Sequence, residues 1–124
     1  MAGYIPDRGD LVHLDFSPSA GRKMAGPHYA VVVSPRQFAR ATGKAVVCRI
    51  TSTIRNWPFE VVLPAGLLPR KRGQSKDADS AILCDQFRTV DYVARKATKV
   101  NQVSVAILRD VIDRILPSID PDLE

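Results

Sequence analysis

Apolar and polar residues alternate over residues 11–16, and that period of two predicts a strand. Residues 29–33 are an unbroken apolar run rich in valine, which predicts a buried central strand. Ser17, Pro18, Gly21, Gly26 and Pro27 mark the loop between them. Ser34-Pro35 then opens a short helix: the serine suits a cap, the proline the first helical position, and Gly43 the end. Strands are expected at 45–53 and, after a turn at Asn56, at 58–63. Residues 65–79 hold Gly66, Pro69, Gly73 and six charges and read as a long mobile loop. Two more strands are expected at 81–85 and 89–93. Val105, Leu108, Ile112 and Ile115 recur at helical spacing, with Arg109, Asp110, Asp113 and Arg114 between them. That pattern predicts an amphipathic helix over 104–116, stopped near Pro117.

Five or six short strands with two helices predict a mainly β (α+β) fold. The expected form is a small curled antiparallel barrel with a short helix and a C-terminal amphipathic helix packed on it. One domain is expected over 1–119, with a disordered tail at 120–124. The 124 residues suffice for a core without disulfides or a metal. The apolar runs are far too short to span a bilayer, so no membrane partner is expected. Asp7, Arg8 and Asp10 stand where a signal peptide would be apolar, and a cytoplasmic protein is expected. Cys48 and Cys84 sit in apolar, strand-like runs and read as buried free thiols. No Cys/His spacing suits zinc.

The net charge is +5, which alone can serve solubility. Its distribution says more. No Asp or Glu occurs between Phe16 and Phe59, a stretch carrying Arg22, Lys23, Arg36, Arg40, Lys44, Arg49 and Arg55. Arg70, Lys71, Arg72 and Lys76 form a second basic group, while Asp110, Asp113, Asp120, Asp122 and Glu124 gather at the end. Such sign asymmetry favours nucleic acid on one face.

Three segments point to a family. They are Gly9-Asp10-Leu11-Val12-His13-Leu14-Asp15-Phe16, then Ile50-Thr51-Ser52-Thr53-Ile54-Arg55-Asn56-Trp57-Pro58-Phe59-Glu60-Val61-Val62-Leu63, then Cys84-Asp85-Gln86-Phe87-Arg88-Thr89-Val90-Asp91. In this order and spacing the chain resembles the MazF/PemK family of toxin endoribonucleases over about residues 4–119. The resemblance implies an SH3-like barrel that forms a homodimer. It also implies sequence-selective cleavage of single-stranded RNA by 2′-hydroxyl attack, with no metal and no cofactor. The implied partner is an acidic, partly disordered cognate antitoxin of the MazE kind, and charge complementarity with the basic groove agrees.

Such chemistry must activate a ribose 2′-hydroxyl, stabilise an anionic phosphorane and protonate the leaving 5′-oxygen. Thr51 and Ser52 match the family's hydroxyl pair at the end of the third strand. Thr51 can donate to a phosphate oxygen, although threonine in a strand often only fills a pleated surface. His28 stands where many members have an Arg followed by Pro; this chain reads Gly26-Pro27-His28-Tyr29-Ala30. A histidine can act as general acid or base, or serve as a structural hydrogen-bonding group, but lacks the fixed charge and fork of arginine. The family's upstream Glu is Lys23 here. Strand alternation puts Arg49 beside Thr51, where members often have an uncharged residue, and Arg49 is expected to supply the phosphate-stabilising charge.

Asp85, Gln86, Arg88 and Asp91 match the family's Asp-Gln-x-Arg-x-x-Asp pattern, part of which the resemblance assigns to RNA contact. An Arg two residues before that Asp takes part in some relatives; here it is Leu83. Asp85 is either a base for the 2′-hydroxyl or a structural acid paired with an arginine, the second being favoured. His13 is expected to be structural. Trp57, Phe59 and Tyr29 are candidates for stacking unpaired bases, with Trp57 best and Phe59 in the core. Arg22, Lys23 and the basic 70–76 segment are expected along the phosphate backbone, and Ser52 and Arg55 are expected to bind RNA. Two other readings stand beside the nuclease. One is a non-enzymatic toxin of the CcdB kind binding DNA gyrase, disfavoured because no aromatic follows Tyr92. The other is a degenerate relative that binds RNA without cutting it.

Overall fold

Strands β1 (Asp10–Asp15), β2 (Pro27–Val32), β3 (Lys44–Thr51), β4 (Glu60–Leu63), β5 (Ser80–Asp91) and β6 (Thr98–Gln102) form one antiparallel sheet. They are seen in a computed structural model that describes residues 3–16, 27–69, 80–120 and 122. The order across the sheet is β4-β5-β3-β2-β1-β6, so the apolar β2 and β3 lie in the middle. The sheet curls into a half-barrel, with α1 (Arg36–Thr42) against β3 and α2 (Val105–Ile119) against β4 and β5.

Both faces of the sheet are covered, and strand alternation decides which residue serves which. Leu11, Val31, Cys48, Ile50, Val61 and Ile82 pack on the first face beneath Val111 and Ile115 of α2. Val12, Leu14, Ala30, Val32, Ala45 and Val47 pack on the second, beside Ala39 of α1. The register agrees: Leu11 opposes Val31 and Val31 opposes Cys48, while Val12 opposes Ala30 and Val32 opposes Val47. A one-residue slip would exchange the two sets, so burial on both sides fixes the pairing.

The structure corrects four expectations. Ser34 does not cap α1; its buried Oγ instead accepts the Val46 N–H at 2.9 Å. The cap residue is Pro35, and the Arg36 N–H donates to Asp7 Oδ1 at 3.0 Å, an acceptor 29 residues away in the chain. The two strands expected at 81–85 and 89–93 are one twelve-residue strand, β5. The edge strand β6 has no counterpart among the expected elements: Thr-Lys-Val-Asn-Gln is polar and pairs only with β1. Pro117 lies inside α2, which runs on to Ile119. A proline so near the end removes one helical hydrogen bond. The Ser118 Oγ–H and Asp120 N–H still donate to the Ile115 and Leu116 carbonyls, at 2.6 and 2.9 Å.

Other expectations hold. Gly43 ends α1 at φ 72°, a left-handed conformation that favours glycine. The last helix begins where expected, at Ser104, whose Oγ accepts the Ile107 N–H at 3.2 Å as its cap. Asn56 sits in the turn before β4 at φ 58°. Residues 17–26, residues 70–79 and most of the expected tail lie outside the described residues.

Candidate functional site

Three adjacent strands bring a basic group to the second face. His28 on β2 opposes Leu14, and Arg49 on β3 opposes Ala30. Arg88 on β5 opposes Val47, so it shares that face, and Thr51 follows Arg49 by one strand period. Fully buried Phe16, just past β1, joins the group. Its ring centre lies 5.8 Å from that of His28, and Arg88 Cζ sits 5.3 Å over the same ring. A guanidinium over an aromatic face is attracted by the ring quadrupole.

The strand beside Arg49 is distorted. Cys48 opposes Phe87 and Ile50 opposes Ile82, so residues 83–86 of β5 stand against Arg49 alone. A mismatch of this kind bends a strand and re-aims its side chains. The exposed residues of this bulge are Asp85 and Gln86, which places both beside Arg49 along the sheet.

Arg49 is the electrostatically unusual member. Burial lowers its pKa from the ordinary guanidinium value. Its Nε is buried with no hydrogen-bond acceptor among the described residues. An orphaned donor of this sort costs about 1–3 kcal/mol. Thr51 Oγ1 accepts the Thr53 N–H at 3.1 Å, which leaves its hydroxyl hydrogen to donate. The two thiols are chemically quiet: burial pushes both Cys48 and Cys84 up to about 12.

Beyond β3 the chain forms an exposed rim. Ser52, Arg55 and Trp57 are all exposed, and Arg55 Cζ lies 5.3 Å over the Trp57 ring. Glu60, the first acid after the acid-free stretch, is buried beneath them. Its Oε1 accepts the Arg55 and Asn56 N–H groups at 3.0 and 3.1 Å. Tyr29 is on the opposite face from His28, edge-on to His13 with ring centres 5.1 Å apart. Asp91 Oδ1 accepts the Val93 and Ala94 N–H groups and closes the turn after β5. Arg22 and Lys23 lie outside the described residues.

Sequence reasoning places Arg49 and Thr51 together but assigns nothing to Phe16 or Glu60. The signal for Glu60 is its isolation as an acid after a long basic run. Phe16 has none, because its contacts with His28 and Arg88 depend on strand pairing. Among the described residues, no three His, Cys, Asp or Glu side chains converge as a metal site would require.

This half-barrel is the fold of solved toxins. MazF from Deinococcus radiodurans matches with a TM-score of 0.77 and 34% identity, covering 94% of this chain and 97% of that one. MazF in a MazE–MazF structure from the same organism gives 0.75 and 34%, over 94% and 96%. In sequence the chain is 36% identical over 104 residues to the endoribonuclease toxin MazF of Escherichia coli (strain K12), spanning 84% of this chain and 85% of the relative. Residues 7–119 match the family described as PemK-like, MazF-like toxin of type II toxin–antitoxin system, and the chain belongs to that family.

Proposed function

We propose that the protein is the toxin of a type II toxin–antitoxin pair and a sequence-selective endoribonuclease of single-stranded RNA, working without metal or cofactor. The observation that carries this is Arg49. A half-buried arginine whose Nε is a buried, unmatched donor, on the sheet face that also bears His28, Thr51 and Arg88, is a preorganised seat for a phosphate. Two guanidinium groups supply the positive charge that a divalent ion would bring elsewhere.

In this reading the 2′-oxygen attacks the adjacent phosphorus as a base takes its proton. The bond from phosphorus to the 5′-oxygen then breaks as an acid protonates that oxygen. The products are a 2′,3′-cyclic phosphate and a 5′-hydroxyl. Arg49 and Arg88 stabilise the phosphorane, and Thr51 donates to a non-bridging oxygen. His28 moves a proton, with Asp85 in the bulge as the alternative base. Ser52, Arg55, Trp57 and Gln86 contact the strand on either side, and Arg22 and Lys23 track its phosphates.

The partners proposed are an acidic antitoxin of the MazE kind and a second copy of the chain in the cytoplasm. MazE–MazF structures of similar proteins and the basic acid-free stretch support the first. A cleft along α2 supports the second. It is lined by Asp7, Arg8, Arg109 and Asp113 around Val105, Leu108 and Ile112, a mixed-sign, partly apolar surface that suits a two-fold contact. No helix among the described residues is long and apolar enough to cross a membrane.

The test is cleavage of a long single-stranded RNA in excess EDTA, wild type beside His28→Ala and Thr51→Ala. Discrete fragments with 5′-hydroxyl ends are expected from wild type. His28→Ala should lose about 10²–10⁴ in kcat. Wild-type protein that binds the RNA but leaves it intact would overturn the ribonuclease reading.

A further inference from the structure

The loop between β3 and β4 carries the chain's one tryptophan, and it is tethered from two sides. Trp57 is 54% exposed, yet its backbone is tied down: its carbonyl accepts the Glu60 N–H at 3.0 Å. Glu60 is only 6% exposed and takes the N–H groups of Arg55 and Asn56 on a single oxygen. Its other oxygen, Oε2, is buried without a hydrogen-bond partner among the described residues. From the far side, Arg114 of α2 donates through Nη1 to the Pro58 carbonyl. Asp110 holds the Nε of that arginine at 2.9 Å.

An exposed turn has water to satisfy its backbone and does not need a buried acid beneath it. Burying a carboxyl group with one oxygen unmatched is unfavourable. Here the result is a large aromatic held outward, with a guanidinium over its ring, six residues past Thr51. Unpaired bases stack on such surfaces. Fixing the platform beforehand lowers the ordering cost of binding.

We propose that Glu60 and Arg114 are positioning residues that hold Trp57 and Arg55 as a rigid platform for one unpaired RNA base. This rests on the ribonuclease reading above and deepens it. The platform grips the substrate away from the reacting phosphate, so it governs KM rather than kcat.

Steady-state cleavage and Trp57 fluorescence test it together. Trp57→Ala and Arg114→Ala should each raise KM roughly tenfold. Their kcat should stay within about twofold of wild type. Arg114→Ala added to Trp57→Ala should cost little more, because both remove one platform. Glu60→Ala should behave likewise, and Glu60→Gln, which keeps an acceptor for both N–H groups, should recover most of the affinity. If Glu60→Ala does not fold, the Trp57 and Arg114 pair decides alone. A single strand carrying 2′-deoxyribose at a mapped cleavage site should quench Trp57 and shield it from acrylamide. Unchanged KM in Trp57→Ala, full additivity in the double variant, or a loss confined to kcat would each overturn the proposal. Should wild type cut nothing while random-sequence single-stranded RNA still quenches Trp57, the platform stands and the nuclease reading fails. Cleavage with no response at Trp57 would remove the platform and leave the nuclease reading in place.

Discussion

At Arg49 stability and function pull apart. Its stem belongs to a packed face, while its Nε is buried without a partner. Leucine would keep the apolar contact and remove the orphaned donor. Arg49→Leu is therefore expected to gain about 1 kcal/mol of stability. It should also lose about 10²–10³ in kcat. Thermal denaturation and RNA cleavage on the same preparation check both signs, and a destabilised variant with full activity would refute the assignment. His28 and Arg88 show the same economy of position: each touches the buried ring of Phe16, so one core residue sets the orientation of two polar ones. The alternation of β3 makes the pairing of Arg49 with Thr51 legible in the sequence. The role of Phe16 is not legible there, because it lies 12 residues before His28 and 72 before Arg88, and only sheet pairing joins them.

Among the elements, α1 has the least usual anchor. Its first N–H is held by Asp7, and Arg36 also forms an ion pair with that residue at 3.7 Å. Burial acts to raise the Asp7 carboxyl, but the N–H groups of Arg8 and Arg36 and the Arg36 charge outweigh it and hold the pKa below the ordinary aspartate value. The folded value is thus depressed. The contribution is complete above the unfolded value and is lost as pH falls through the folded one. Asp7→Ala should cost roughly 0.5–1 kcal/mol at neutral pH, the low end for a capping bond because solvent screens the carboxylate. Urea unfolding at pH 7 and pH 3 should show that difference shrinking in acid; a constant difference would mean the carboxylate plays no part. The alternating β1 and the apolar runs of β2 and β3 are legible in the chain. What escapes is set by partners far along the sequence: the edge strand β6, the unbroken β5 and the true use of Ser34. A polar edge strand has no face to advertise, and a bulge breaks the period that would reveal one long strand.

For the molecule as a whole, the basic group and the mixed-sign apolar cleft occupy different surfaces. The basic group lies on the face bearing His28 and Arg88, while the cleft along α2 mixes both signs. If that cleft joins two copies, the side chain of Val105, 71% exposed in one copy, becomes covered. Val105→Glu should then shift the protein from dimer to monomer in sedimentation at micromolar concentration, with unchanged circular dichroism. A monomeric wild type would remove the proposal.

The four-against-one mismatch in β5 has a further consequence. Asp85 and Gln86 have no cross-strand partner in either ladder, whereas residues on both sides of them are locked in register. The strand therefore contains slack in the middle of a rigid wall. A residue added or removed there would alter what the site presents without shifting the pairing of either half. Barrels usually vary through the loops at their ends, but this one can also change reach from within a strand.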